Sequence, residues 1–358
     1  MSACHACLQR SWLLRELAGH LDLVRADVTA LLALGNHELI AAVGGRRREE
    51  LVSRLGEYDP LDGRSQAELS GLDLICRCDD AYPEALRDLA ATPAVLHVVG
   101  GARRFTGLAG SQSVAIVGTR RASSYGISVA RSLARGLAVA GVPVVSGMAN
   151  GIDAAAHEGA LSVAGPTVAV LPGPANDVYP RGASGLYRRL LEVGAVVSEL
   201  PPMASIRSWM FLARNRIIAG LAAMTVVVEA DEGSGALLTA GCAAGLGRLV
   251  GAVPGRVTAR HAAGPNRLLS GGAHVITHAQ DVLDLLFEAG TRRAPADDRP
   301  ELTAELRAVL EAIESGHDTP AALVRRGIAA EPPLAALASL ELAGYVQRGA
   351  GGRFTVVP

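Results

Sequence analysis

The residues best suited to bind a ligand lie in short glycine-containing loops that directly follow apolar runs. The first loop consists of Gly118, Thr119, Arg120 and Arg121, and it follows the apolar run Val114–Val117. Glycine lets a ligand approach the backbone, and the free N–H groups at the start of the next helix favour an anion. Two adjacent arginines add charge-assisted hydrogen bonds to phosphate. This segment is therefore predicted to bind phosphate, with an ordinary turn carrying solvated arginines as the alternative.

A second loop begins with Ser146 and Gly147 and continues into a predicted helix that carries Asp153 and His157. Asp153 and His157 are four positions apart and share a helical face. An acid–base pair, or a cap over a ligand, is one interpretation of them. The interpretation we favour is structural: Asp153 caps the helix and His157 packs in the interior.

A third polar segment, made of Arg214, Asn215 and Arg216, is predicted just ahead of a helix. Two guanidinium groups and an amide in succession suit the successive phosphates of a polyanion. A solvated charge cluster is the alternative for this segment.

A fourth segment places Ser234 and Gly235 at the start of a predicted helix, with Thr239 one turn further on. A helix start after a strand is a place for an anion. The neighbouring Asp231 and Glu232 would repel phosphate. The anion is therefore predicted to lie toward the serine, the glycine and the threonine.

Apolar runs and helical stretches alternate around these loops. The predicted strands are Val114–Val117, Val142–Ser146, Thr167–Leu171, Ala195–Ser198, Thr225–Glu229 and Leu249–Val253, and the predicted helices include Ile127–Ala140, Asp153–Val163 and Ser184–Glu192. This alternation predicts an α/β fold, an extended Rossmann-like parallel sheet with helices on both faces. Ligands bind at the carboxyl ends of such strands, so we expect a shared groove lined by Arg120, Arg121, Arg214 and Arg216.

Four regions are predicted along the 358 residues. Residues 1–78 form a small helical domain, either a plain bundle or a SAM-like helix-hairpin-helix with its own nucleic-acid contact. Residues 79–288 form the Rossmann-like domain. Residues 289–300, with glycine, proline and clustered charges, form a linker. Residues 301–358 combine three helices with a hairpin, which is the outline of a winged helix.

The composition excludes several classes of protein. The net charge is −1, and all 34 basic residues are arginine. Without lysine, the chain has neither a P-loop lysine nor a Schiff-base lysine. No apolar run approaches the roughly 20 residues that span a bilayer, and the first residues lack the build of a signal peptide. These features predict a cytoplasmic protein with no membrane contact.

The chain has five cysteines, an odd number that does not suggest a disulfide framework. Four of them form two close pairs: Cys4, Cys7, Cys76 and Cys78. A C-x-x-C pair with a later C-x-C pair supplies four thiolates, enough for a structural zinc. The second spacing is tighter than usual, so reduced thiols without a metal are the expectation and zinc is the alternative.

A series of motifs resembles the DNA-processing protein A family (DprA/Smf). In order, they are V-G-T-R-R…Y-G, S-G-M-A-N-G-I-D-A-A-A-H, R-N-R-I-I-A-G-L, V-V-V-E-A, S-G-A-L-L-T-A, A-V-P-G and G-P-N-R-L-L-S-G-G-A. With the preceding segment 80–86, which resembles the family's entry segment, the match covers about residues 79–285. A single one of these motifs is weak. Seven in the same order are highly specific.

The resemblance implies a protein that binds single-stranded DNA, uses no nucleotide cofactor and forms a homodimer. It also implies that the protein protects incoming single strands and loads the RecA recombinase onto them during natural transformation. The family's Gly-Ser-Arg signature corresponds to Gly118, Thr119 and Arg120, with threonine supplying the hydroxyl. Relatives often have a basic residue ahead of R-N-R-I-I, whereas residues 211–213 here are Phe-Leu-Ala.

The C-terminal unit is similar to the winged helix of many members. Its predicted third helix, Pro332–Ala343, contains no arginine. We therefore expect this unit to bind a protein rather than duplex DNA.

The enzymatic alternative is a nucleotide hydrolase of a related Rossmann-like group, which cleaves the glycosidic bond of nucleoside monophosphates. Such proteins carry a P-G-G-x-G-T-x-x-E loop with a catalytic acid. The nearest segment, Leu171–Asp177, lacks the second glycine and has no matching glutamate. A dehydrogenase is disfavoured because the G-x-G-x-x-G pattern is missing. No catalytic residue and no cofactor are predicted.

Overall fold

The computed structural model describes residues 3–110, 112–294, 300–328 and 333–357. An N-terminal helical region comes first. Its helices are α1 (His5–Glu16), α2 (Ala18–Leu23), α3 (Val28–Ala33), α4 (Asn36–Val43), α5 (Arg48–Gly56) and α6 (Pro60–Leu69). Leu13, Leu17 and Leu21 recur at helical spacing and are fully buried. These leucines therefore give the first helices an apolar face that joins a core.

The centre of the described molecule is a nine-stranded sheet. Its strands are β1 (Asp73–Cys76), β2 (Val95–Val99), β3 (Val114–Val117), β4 (Val144–Ser146), β5 (Thr167–Val170), β6 (Ala195–Ser198), β7 (Met224–Val227), β8 (Leu249–Ala252) and β9 (His274–Val275). The order across the sheet is β1-β2-β6-β5-β4-β3-β7-β8-β9. The β1–β2 and β2–β6 pairs are antiparallel. The other pairs are parallel.

The chain changes direction across the sheet at β3. It proceeds from β3 through β4, β5 and β6 on one side, and then crosses to β7 on the other side of β3. The loops that leave the carboxyl ends of β3 and β7 therefore diverge and leave a crevice. Open parallel sheets bind their ligands at this topological switch point.

Helices cover both faces of the sheet. They are α7 (Ala102–Ala109), α8 (Ser124–Val139), α9 (Ile152–Leu161), α10 (Ser184–Val193), α11 (Ser208–Leu221), α12 (Gly235–Gly245), α13 (Ala263–Ser270) and α14 (Ala279–Leu286). Val114 and Ile116 of β3 pack in the core formed with α8 and α9, whereas Ala115 and Val117 join the core on the opposite face. Both faces are buried, so the strands are continuous apolar runs rather than alternating ones.

The N-terminal helical region packs against α11. Trp209 is fully buried there, and its Nε1–H donates to the carbonyl oxygen of Ala18, 2.9 Å away. The backbone N–H of Trp209 donates to the Asp22 carboxylate at 3.1 Å, which satisfies a free N–H in the first turn of the helix. Ile217 and Ile218 belong to the sheet core. The helix is therefore held between the sheet and the N-terminal region.

The C-terminal region has a small core of its own, to which Val309, Leu337 and Phe354 belong. Its elements are α15 (Ala304–Glu314), α16 (Pro320–Arg325), α17 (Pro333–Leu342), β10 (Val346–Arg348) and β11 (Phe354–Val356). The two strands form an antiparallel hairpin. Three helices and a hairpin agree with the predicted elements, and the winged helix stays an interpretation of them. Residues 295–299 of the predicted linker, and Pro332 of the predicted third helix, lie outside the described residues.

The predicted α/β fold with a largely parallel sheet is confirmed, and the six predicted strands agree with the structure to within two residues at each end. The antiparallel strands β1 and β2 were not predicted, and β1 lies within the predicted helical region 1–78. The predicted helix start after Arg216 is wrong, because α11 already begins at Ser208 and contains the whole Arg-Asn-Arg segment. None of the helices within the described ranges is long and apolar enough to cross a membrane.

Candidate functional site

A cleft of about 570 Å³ opens at the switch point of the sheet, beside the loops that follow β3 and β7. Residues of three segments contribute most of its surface: the β3–α8 loop, one face of α11, and the start of α12. The predicted site residues that line it are Gly118, Thr119, Arg120, Arg121, Arg214, Asn215, Ser234, Gly235 and Thr239. Ser146, Gly147 and Arg216 are not among the lining residues.

The β3–α8 loop is locked to its neighbours by its backbone. The N–H of Thr119 donates to the carbonyl oxygen of Glu229 at 2.7 Å, and its own carbonyl accepts from the N–H of Ile152 at 3.2 Å. A Cβ on Gly118 would lie 2.5 Å from Ile152 Cγ1 and 2.7 Å from the Glu229 oxygen. A glycine is therefore required for the three loops to meet this closely.

Arg120 and Arg121 extend from this fixed loop with exposed side chains. The Arg120 guanidinium lies 4.9 Å from the centre of the Phe211 ring, within cation–π range. The backbone N–H of Arg121 donates to Thr119 Oγ1 at 3.2 Å. Neither arginine forms an ion pair with any residue in the described part of the chain. Both charges are available to an anion in the cleft.

Arg214 lies at the floor of the cleft and is almost fully buried. Its Nη1 donates to the carbonyl oxygens of Gly147 at 2.8 Å and Val170 at 3.1 Å. Burial lowers the pKa of Arg214, and the Asp153 carboxylate opposes that shift. The guanidinium thus ties the ends of β4 and β5 to α11 and contributes positive charge beneath the cleft.

Asn215 joins α11 to the start of α12. Its Nδ2 donates to the carbonyl oxygen of Gly235 at 3.1 Å, and its Oδ1 accepts from Arg214 Nε at 3.3 Å. These two bonds use one N–H donor and one lone pair of the amide. It fixes the relative position of two cleft walls.

Arg216 points away from the cleft. Its Nη2 lies 2.7 Å from both carboxylate oxygens of Glu199, and both side chains are buried. Residues two apart in a helix are rotated by about 200°, so this side chain cannot share the face of Arg214. The predicted groove with four arginines therefore contains Arg120, Arg121 and Arg214, and Arg216 is part of the interior.

The second predicted loop, which follows β4, is held in place beside the cleft by buried hydrogen bonds. Ser146 is fully buried and donates to the Ile116 carbonyl oxygen at 2.7 Å. The N–H of Gly147 donates to the Asp153 carboxylate at 3.1 Å. Asp153 lies in the first turn of α9, where the N-cap residue is Gly151. The prediction that Asp153 caps the helix is therefore wrong. Its carboxylate instead accepts a hydrogen bond from the loop that precedes α9.

His157 is fully buried, in agreement with the structural interpretation of this residue. Its Nδ1 lies 2.7 Å from Thr167 Oγ1, whose hydroxyl donates to the Val144 carbonyl oxygen. Burial lowers the pKa of His157 to about 3. A neutral imidazole that contacts Thr167 rather than Asp153 does not form an acid–base pair.

The start of α12 forms the other wall of the cleft. Ser234 Oγ accepts from the Ala236 N–H at 3.3 Å, and Thr239 Oγ1 donates to the Gly235 carbonyl oxygen at 3.3 Å. Asp231, one of the two acids expected to repel phosphate, also lines the cleft. It forms an ion pair with Arg260 at 2.9 Å and a hydrogen bond with His261 at 2.6 Å, so its repulsion of an anion is partly offset. The hydrogen bond from His261 lowers the pKa of Asp231.

Phe211 was missed as a site residue, although the sequence contains a signal for it. Phe211, Arg214, Asn215 and Ile218 follow the i, i+3, i+4, i+7 spacing of one helical face, and all four line the cleft. Tyr179 packs edge-on against the Phe211 ring, with 5.3 Å between the ring centres. Recognising that the helix begins before residue 211 would have placed this aromatic ring beside the arginines.

The chain is similar to several known proteins. A sequence model of the family described as DNA recombination-mediator protein A matches residues 73–287. A DprA relative from Mycobacterium tuberculosis is 40% identical over 273 residues, which are 73% of this chain and 68% of the relative.

Two solved structures resemble the fold. The X-ray structure of DNA processing protein A from Streptococcus pneumoniae has a TM-score of 0.63 at 30% identity and covers 78% of this chain and 95% of its own. DNA processing protein A from Helicobacter pylori, solved in a study of its single-stranded DNA binding mode, has a TM-score of 0.52 at 30% identity and covers 61% of this chain and 97% of its own. The cleft lies within the segment matched by the family model, and this chain belongs to the DNA recombination-mediator protein A family.

Proposed function

We propose that the protein binds single-stranded DNA in the cleft at the switch point of the sheet, and that it acts by binding rather than by catalysis. The observation that carries this proposal is the pair Arg120 and Arg121, exposed and without ion-pair partners among the described residues, on a loop whose backbone is fixed. Because the backbone of the loop is already fixed, only the arginine side chains lose conformational freedom when they bind phosphates.

The cleft offers a single strand two kinds of contact. Arg120 and Arg121 on one wall and the start of α12 on the other suit successive phosphates. The partly exposed Phe211 ring, flanked by Arg120 and Tyr179, offers a surface on which a base can stack. Bases in a duplex are already stacked and paired, so this second contact favours a single strand.

The proposed role is the protection of incoming single strands and the loading of RecA recombinase during natural transformation, by a homodimer in the cytoplasm. Membership of the family and the single-stranded DNA named for the Helicobacter pylori protein support this role. The acids that line the cleft, Asp153 and Asp231, are both engaged by hydrogen bonds or ion pairs, which supports binding rather than catalysis.

Fluorescence anisotropy with a labelled poly-thymidine strand and a matching duplex, across a salt series, tests the DNA-binding proposal. We expect preference for the single strand, affinity that falls with salt, and at least tenfold weaker binding by Arg120→Ala. Arg135→Ala is the matched control, because Arg135 is an exposed arginine of α8 outside the cleft lining. Equal affinity for both DNA forms, or an Arg120→Ala variant that binds like the control, contradicts the proposal.

The C-terminal region is proposed to contact a protein partner rather than DNA. A chain ending at residue 298 should then bind poly-thymidine with nearly the affinity of the full chain. A tenfold loss of affinity in the same anisotropy assay would contradict this division of roles.

A further inference from the structure

Four cysteines that are distant in sequence converge where the N-terminal helical region meets the edge of the sheet. Cys4 directly precedes α1, Cys7 lies in its first turn, Cys76 is the last residue of β1, and Cys78 lies in the turn that follows. Their four sulfur atoms all lie within 4.8 Å of one another. The Cys78 sulfur is 3.8 Å from those of both Cys4 and Cys7.

These distances fit one metal ion. Zinc binds thiolate sulfur at about 2.3 Å with tetrahedral geometry, which places neighbouring sulfurs roughly 3.8 Å apart. A disulfide would require about 2.05 Å between sulfurs. In an iron–sulfur cluster the cysteines are divided among two or more iron atoms, which separates some of the thiolates further than a single shared ion does. The observed spacing therefore favours a mononuclear site.

The positions of the ligands are fixed by neighbouring groups. The Cys76 N–H donates to the Asp79 carboxylate at 2.8 Å, which shapes the turn that carries Cys78. The Arg64 Nη2 donates to the Ala3 carbonyl oxygen at 2.9 Å, which anchors the chain just before Cys4. Such supporting hydrogen bonds orient the ligands of a metal site before the ion arrives.

The burial of the four cysteines is that of a structural site. Cys7 and Cys76 are buried, Cys4 is partly buried and Cys78 is exposed, so an ion can enter from the side of Cys78. All four ligand positions are supplied by the protein, which leaves none open for catalysis. Cys242, on α12, is outside the cluster.

We propose that Cys4, Cys7, Cys76 and Cys78 bind one structural zinc ion that joins α1 to β1. Because β1 is the edge strand and α1 begins the helical region, the ion links the two beside an apolar cluster that they share. Its binding free energy adds to the stability of the folded chain, since the unfolded chain does not hold four thiolates together.

The test is metal analysis of the full-length, untagged protein, purified in a reducing buffer without chelators. We expect about one zinc per chain, and reconstitution with Co²⁺ alone should give the intense visible bands of tetrahedral thiolate coordination. Cys4→Ser/Cys78→Ser, which removes the two ligands that are not buried, should bind less than a tenth of that zinc. Cys242→Ser is the matched control and should keep one zinc per chain.

Removal of zinc from the wild-type protein by a chelator should lower Tm by roughly 5 °C or more. If the double variant does not fold, the zinc content and cobalt spectrum of the wild-type protein decide the question. Wild-type protein with four free thiols and no metal, a disulfide detected by mass, or stoichiometric iron instead of zinc would each overturn the proposal.

Discussion

The β3–α8 loop and the helix α11 both bring arginines to the switch point, but they use them in opposite ways. Arg120 and Arg121 on the loop are exposed and without ion pairs among the described residues. Arg214 and Arg216 on the helix are buried, and their guanidinium groups are bound to carbonyl oxygens and to Glu199. The residue type is the same, and its surroundings decide whether it binds a ligand or the protein itself.

The difference has a physical origin in the cost of burying charge. A buried guanidinium loses its hydration and must recover that free energy from partners inside the protein. An exposed guanidinium keeps its water until an anion replaces it. The loop is therefore expected to control DNA affinity, and the helix is expected to control the stability of the fold.

The largest effect that separates the two regions is expected from Arg216→Ala. It leaves the Glu199 carboxylate buried without its partner, which costs about 3–5 kcal/mol in the free energy of unfolding. Arg120→Ala should change that free energy by less than about 0.5 kcal/mol. Urea denaturation followed by circular dichroism measures both.

The double variant Glu199→Gln/Arg216→Met is the control for this comparison, since it removes both charges. It should be closer to the wild-type protein in stability than Arg216→Ala is. If Arg120→Ala destabilises the fold as much as Arg216→Ala does, the distinction between loop and helix fails.

Acidic pH should also lower the free energy of unfolding, because two buried histidines are held neutral in the fold. Burial lowers the pKa of His157 to about 3 and that of His97 to about 4. Between those values and about 6.5 the unfolded chain binds protons that the folded protein does not, so stability falls as the pH drops through this window. From pH 7.5 to 5.5 the two imidazoles together should cost about 3 kcal/mol, measured by urea denaturation at both pH values.

His157→Asn tests the assignment, because its amide can still donate a hydrogen bond toward Thr167 in place of Nδ1. This variant should lose only about half as much stability over the same pH range. An unchanged pH dependence would show that His157 is not held neutral in the fold.

The sequence predicts the features that depend on local patterns, namely the strands and the β3–α8 loop. Uncharged apolar runs such as β3 and β6 were placed at their observed bounds because both of their faces are buried. The β3–α8 loop was recognised because a glycine and two arginines follow directly after such a run. These features depend on residues that are neighbours in the chain.

The roles of the buried arginines of α11 could not be predicted, because they depend on residues that are distant in the sequence. The charges of Arg214 and Arg216 suggest a phosphate-binding segment ahead of a helix, with a solvated cluster as the alternative. Instead, α11 continues through them, and Gly147 and Glu199 bind their guanidinium groups. The Glu199 partner is 17 residues away, and no local pattern indicates it. The four-cysteine cluster is a similar case, since its two pairs meet only when β1 joins the sheet.

Phe211 sharpens the comparison, because it is partly exposed in the cleft, whereas Arg214 on the same face of α11 is buried. Phe211→Ala removes the proposed stacking surface and should weaken binding of poly-thymidine by about 1–3 kcal/mol, or roughly 5- to 150-fold. Tyr125→Ala is the matched control, since Tyr125 is an exposed aromatic residue outside this cleft. Equal affinities of the two variants in the anisotropy assay would remove stacking from the proposed mechanism.

The smallest expected effect is a change in the salt dependence of DNA binding, which distinguishes a direct contact with a phosphate from long-range attraction by positive charge. A single strand that loses one phosphate contact shows a slope of log K against log salt concentration that is shallower by about 0.7. Arg121→Ala should show this change, because its charge lies on the fixed loop that faces the cleft. Arg135→Ala removes the same charge from α8 and should leave the slope of the wild-type protein in place. If both variants weaken binding equally at low salt and keep the wild-type slope, the arginines of the loop attract DNA from a distance without touching its phosphates, and their fixed backbone has no part in recognition.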